Sequence, residues 1–111
     1  MSKMLTRRAS ALLVVSAIAV ALMAASARAA DVEVGIHNFT FAPQKTTVKA
    51  GTTVVWVNSD DIPHNVVSKT MVFKSNVIDT DEKFSFTFTK LGAYPYFCAL
   101  HPHMTGTIVV E

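Results

Sequence analysis

The sequence predicts an all-β domain on three observations. Apolar and polar residues alternate with a period of two in several short stretches. Turn-forming residues separate those stretches at roughly 8–12-residue intervals. Beyond the first thirty residues no stretch carries a 3.6-residue apolar period, so helices are not expected. Together these describe a β-sandwich or barrel.

Val32, Val34 and Ile36 alternate with Glu33, Gly35 and His37 and make the first predicted strand, with His37 as a surface residue. Thr46–Lys49 is rich in β-branched residues and runs into an Ala50-Gly51 turn. Thr52–Val57 resumes, with Val54 and Trp56 on one face and Val55 and Val57 on the other. A near-continuous apolar run of this kind suits a strand covered on both faces. Ser59–Pro63 reads as a loop and His64–Ser68 as a short strand, while Thr70–Ser75 is ambiguous. Phe84, Phe86 and Phe88 alternate with Ser85 and Thr87, the clearest strand of all. Lys90-Leu91-Gly92 turns the chain, Ala93–Cys98 forms another strand, and Gly106–Val110 forms the last. There is no internal repeat, low-complexity stretch or second domain. A core this small gains from a bound metal.

The first 29 residues differ in kind. Lys3, Arg7 and Arg8 precede an almost wholly apolar run, Ala11–Ala25, and Ala27-Arg28-Ala29 supplies a small-x-small triplet. That order predicts a signal peptide over residues 1–29, cleaved after Ala29, and a domain over 30–111 exported to the periplasm. An uncleaved anchor is the competing reading, but the apolar run is shorter than the roughly 20 residues a spanning helix needs. Arg7-Arg8 invites a twin-arginine route; Ala9-Ser10-Ala11 lacks the bulky apolar residue that route favours, so general secretion fits equally. All three arginines lie in this segment. The whole chain carries a formal charge of +2, whereas residues 30–111 hold six lysines and eight carboxylates, a net of −2. A basic stripe for nucleic acid is therefore excluded. After cleavage no stable membrane insertion is expected.

Histidine and cysteine converge near the C-terminus, in Cys98-Ala99-Leu100-His101-Pro102-His103-Met104. A loop with Cys-x2-His-x2-Met spacing can curl so that a thiolate, an imidazole and a thioether face one point. A second imidazole is available from His64, 34 residues before Cys98. Soft sulfur ligands suit Cu(I) and imidazole suits Cu(II) as well, so His64, Cys98, His101 and Met104 form a candidate site for one copper ion. Taken singly, each has a blander role: a buried small hydrophobe, a hydrogen-bonded histidine, a core methionine. The unpaired cysteine of an exported chain still calls for an explanation, and metal ligation supplies one. His103 in place of His101 fits less well, because Cys-x4-His leaves only the adjacent Met104.

With these residues the chain resembles the cupredoxins, the type 1 blue-copper electron carriers, over about Val32–Glu111. Its short Cys98–Met104 loop is most like that of the amicyanins; Pro63-His64-Asn65-Val66 looks like the first-histidine motif, and Gly106–Glu111 like the final strand. The resemblance implies a cupredoxin-like Greek-key β-sandwich with copper held by His64, Cys98, His101 and Met104. It implies a monomeric, non-enzymatic carrier cycling between Cu(II) and Cu(I). Its redox partners would be a dehydrogenase, such as methylamine dehydrogenase, and a c-type cytochrome.

Three positions depart from the amicyanin pattern. Ala99 replaces the hydroxyl residue that pairs with the asparagine matching Asn65, which predicts loss of that side-chain link. Leu100 replaces a proline, and its N–H is expected to donate to the Cys98 sulfur. His103 replaces an aromatic residue on an apolar patch expected to comprise Ile62, Leu100 and Pro102. Other classes remain open: a periplasmic copper chaperone or buffer, a metal-free module with an intermolecular disulfide, and, weakest, a zinc hydrolase, since no general base is evident and thioether is a poor zinc ligand.

Overall fold

The computed structural model describes residues 30–111, so the predicted signal peptide lies outside the described residues. Eight strands are present: β1 (Val32–His37), β2 (Thr40–Ala42), β3 (Lys45–Val48), β4 (Thr52–Asn58), β5 (Val67–Ser68), β6 (Lys83–Phe88), β7 (Gly92–Cys98) and β8 (His101–Val110). They form two four-stranded sheets, ordered β2-β1-β4-β6 and β3-β8-β7-β5. β1 runs parallel to β4, and β3 parallel to β8; the other neighbours are antiparallel. Parallel neighbours cannot be joined by a tight hairpin. The chain therefore leaves the first sheet after β2, lays β3 in the second, and returns as β4, the Greek-key path of a sandwich. Among the described residues there is no helix.

The inward rows of both sheets build one core, with Val34, Ile36, Val54, Trp56, Tyr96 and Ile108 fully buried. Trp56 stands at its centre, with ring centroids 5.6 Å from Phe73, 5.6 Å from Phe84 and 5.5 Å from Tyr96. β4 is buried on one face only: Val54 and Trp56 point inward, whereas Val55 and Val57 stay partly exposed because no layer covers the outer face. The apolar run on β4 thus suggested more cover than the sheet receives.

Three further boundaries differ from expectation. β2 was not anticipated; it is three residues long and closes before the cis Ala42-Pro43 bond. The His64–Ser68 strand shrinks to Val67–Ser68, with His64 in a lone bridge to Ile78. The ambiguous Thr70–Ser75 stretch is a loop held by a plug, Phe73, which is buried against Trp56 while Ser75 N–H bonds to Val66 O at 2.8 Å.

Tyr96 pairs with Gly106 across β7 and β8. Its ring lies over the glycine, so that a Cβ there falls directly onto the ring. Burial pushes the Tyr96 phenol up to about 12, against a weaker opposing pull from the Trp56 indole N–H. The two groups nevertheless lack good hydrogen-bond geometry, and both are buried without a partner. Packing alone therefore holds the ring. Gly106→Ala is expected to cost about 1–3 kcal/mol through overpacking. The check is a lowered urea midpoint with an unchanged slope.

Candidate metal centre

Each candidate ligand is placed by a different local device at one end of the sandwich. His64 is fully buried and is pinned by its bridge, with Ile78 N–H donating to His64 O at 2.7 Å. Cys98 ends β7 at an irregularity between Phe97 and Cys98, and pairs with His101 across the two-residue turn Ala99-Leu100. Such bulges re-aim side chains. β8 begins at His101, five residues earlier than its sequence signal, so the ligand loop is the tip of a hairpin. Met104 opens the buried row continued by Gly106, Ile108 and Val110, which turns its thioether inward.

The donor atoms of His64, Cys98 and His101 lie within 4.8 Å of one another. Cys98 Sγ is 3.8 Å from His64 Nδ1 and 3.7 Å from His101 Nδ1. Met104 is close to the three and only 5% exposed. Gaps of that size would let one ion reach both nitrogens and the sulfur at ordinary metal–ligand lengths of about 2.0–2.3 Å. Two imidazoles, a thiolate and a neighbouring thioether in such an arrangement fit copper.

The surroundings fix which nitrogen is free. Asp60 Oδ2 is 2.7 Å from His64 Nε2. A carboxylate there requires Nε2 to carry the proton, which leaves the Nδ1 lone pair facing the sulfur. The same carboxylate accepts the Asn38 N–H at 2.6 Å and the Phe39 N–H at 3.1 Å. Burial raises the Asp60 carboxyl, but those two backbone bonds and His64 outweigh it and hold the group below its ordinary 3.8. Asn58 buttresses the loop, donating to Ile62 O at 3.0 Å and Ile78 O at 2.9 Å, and accepting from Asp60 N–H at 2.9 Å.

Residues 10–110 match the Cupredoxin-like domain family. Among curated proteins, amicyanin from Paracoccus versutus is 39% identical over 93 residues, covering 79% of this chain and 70% of that protein. Plastocyanin from Nostoc punctiforme is 34% identical over 120 residues, covering 90% of this chain and 86% of that one. A solved amicyanin variant in its Cu(I) form superposes with a TM-score of 0.69 at 34% identity, covering 79% of this chain and 89% of the other. The chain is a cupredoxin.

Of the three departures from the amicyanin pattern, the first holds for the side chain and the second turns out differently in this cupredoxin. Ala99 lacks a hydroxyl, yet the loops stay linked: its backbone N–H donates to Asn65 Oδ1 at 2.7 Å. The donor to Cys98 Sγ is not Leu100 but the Asn65 N–H, at 3.4 Å. Leu100 is the third residue of the Cys98–His101 turn, and among the described residues its N–H makes no bond to the sulfur.

The apolar patch is also larger than expected. A groove of about 400 Å³ is lined by Phe39, Leu100, His101, Pro102, His103 and Met104. Ile62 does not line it. Phe39 was missed entirely, though an apolar residue out of step after Val32–Ile36 was a usable signal. Asp60 lies in the Ser59–Pro63 loop, and the corresponding clue is a carboxylate four residues before a candidate ligand histidine.

Proposed function

We propose that this cupredoxin is a periplasmic type 1 blue-copper electron carrier in which His64, Cys98, His101 and Met104 hold one copper ion. The observation that carries the reading is the convergence of the His64, Cys98 and His101 donors within 4.8 Å. Bound copper supplies a one-electron Cu(II)/Cu(I) couple. The protein's part is to keep the donors still: Asp60 fixes the His64 ring, the Asn65 N–H bonds the sulfur, and Asn65 Oδ1 ties down the turn. Donors that move little between oxidation states favour fast transfer.

His64, Cys98 and Met104 are buried, while His101 is half-buried in the groove. His101 is therefore where a partner's cofactor comes nearest. The groove's apolar wall, with Leu100 47% exposed, suits a transient protein contact. Likeness to amicyanin supports a dehydrogenase, such as methylamine dehydrogenase, as donor and a c-type cytochrome as acceptor. Kinship to amicyanin and plastocyanin also makes the protein a carrier and not an enzyme.

The test is to express residues 30–111, add Cu(II) and record the visible spectrum. An intense thiolate-to-copper band that bleaches with reductant and returns with oxidant is expected. A colourless, tightly bound complex would point to copper handling, and no copper uptake would exclude both.

A further inference from the structure

Phe39 is anomalous in two ways. It is a large apolar side chain left 51% exposed. It also sits at φ 58°, directly after Asn38 at φ 50°, so two consecutive non-glycine residues occupy the left-handed region. Such strain persists where the surroundings enforce it, and it gathers at functional sites. Here the enforcing group is visible: both amides of the strained turn donate to the Asp60 carboxylate. The turn delivers the Phe39 ring against both imidazoles, whose own centroids are 5.0 Å apart. Its centroid is 5.1 Å from that of His101 at an interplanar angle of 85°, and 5.8 Å from that of His64 at 88°.

We propose that Phe39 is a positioning residue that latches the half-buried ligand His101, and that Asp60 anchors this latch and His64 together. This rests on the copper reading above. His101 is carried by a two-residue turn and is the ligand with an edge toward the groove, so it is the one that must swing aside for the metal to leave. Its ring meets Phe39 on that side. Phe39 cannot easily yield, because its own amide and that of Asn38 are both tied to a carboxylate that also holds His64. Edge-to-face contacts of this geometry are each worth several-fold in an equilibrium or rate.

Phe39→Gly is the decisive variant, because glycine adopts positive φ without strain and the fold should persist. The full chain, processed and copper-loaded, is mixed with excess Cu(I)-selective chelator under reducing conditions, and loss of copper is timed. F39G is expected to stay blue when oxidised but to lose copper about tenfold faster, from the two lost ring contacts. Phe39→Tyr, which restores a ring, should return to the parent rate. A parent rate in F39G would overturn the latch and leave Phe39 a surface contact only. A fast rate in F39Y would overturn it equally, because an aromatic ring at the same place would then fail to hold His101. The metal-free protein gives a second readout. NMR cross-relaxation should connect the Phe39 ring to both imidazoles, and F39G should loosen the His101 ring; a His101 ring equally ordered in both proteins would overturn the proposal. A parent protein that never turns blue would sink the carrier reading, while these metal-free contacts would still decide the latch.

Discussion

Replacing Cys98 with serine is expected to leave a folded protein that never turns blue. The colour of a copper–thiolate site comes from the sulfur, and serine brings neither a thiolate nor a soft donor. The fold should tolerate the change. Cys98 is fully buried, yet the site around it is polar enough to receive a hydroxyl: the Asn65 N–H lies 3.4 Å from the sulfur, and the imidazoles of His64 and His101 are adjacent. The stability cost should stay within the usual 0.5–3 kcal/mol of a point substitution, or roughly a few tens of percent of a small domain's stability. Titration with Cu(II) followed by visible absorption, alongside far-ultraviolet circular dichroism, reads both outcomes. A surviving intense band would remove Cys98 from the ligand set.

Asp60→Ala is the second large effect, and it falls on a residue that never touches the metal. Removing the carboxylate strands the His64 Nε2–H in a fully buried position and releases the Asn38 and Phe39 amides. Leaving buried donors unsatisfied costs about 2–4 kcal/mol in all. Loss of such an outer partner of a ligating histidine should also weaken copper binding by about 10–100-fold. The pH dependence has a definite sign. The folded carboxyl titrates below its ordinary 3.8, so its stabilisation is fully present above that value and fades as the pH falls through the folded value. The parent should therefore lose its advantage over Asp60→Ala below about pH 4. Urea midpoints of both proteins measured between neutral pH and pH 3 would show it; a constant gap would deny Asp60 its role.

Much of the scaffold was legible because it depends on local pattern. Alternation in Val32–His37 and Lys83–Phe88 reports a half-buried strand directly, and Cys-x2-His-x2-Met packs three candidate donors into seven residues. What escaped depends on contacts between distant segments. β2 is too short to show a period, and β8 starts at His101 and runs through Pro102-His103, which have no strand signature of their own. Asp60 and Phe39 matter only because a strained turn, 21 residues before the loop, lies against it. Ala99 shows the limit of side-chain analogy: the side-chain link is absent as expected, but the backbone amide ties the two loops together. Periodicity on β4 likewise recorded apolar content and not the number of covering layers.

The hairpin carrying Cys98, His101 and Met104 has a thermodynamic consequence. Three of the four proposed donors are near neighbours in sequence, whereas His64 reaches them only when the sandwich closes. The unfolded chain would therefore keep three of the donors within seven residues, a local claw for copper. A ligand stabilises a fold only by the margin of its preference for the folded state over the unfolded one. Whatever the hairpin donors contribute in both states cancels, and the margin comes from His64 and from the order imposed around it. Copper should thus tighten this protein less than its affinity suggests, and it can be captured before folding is complete.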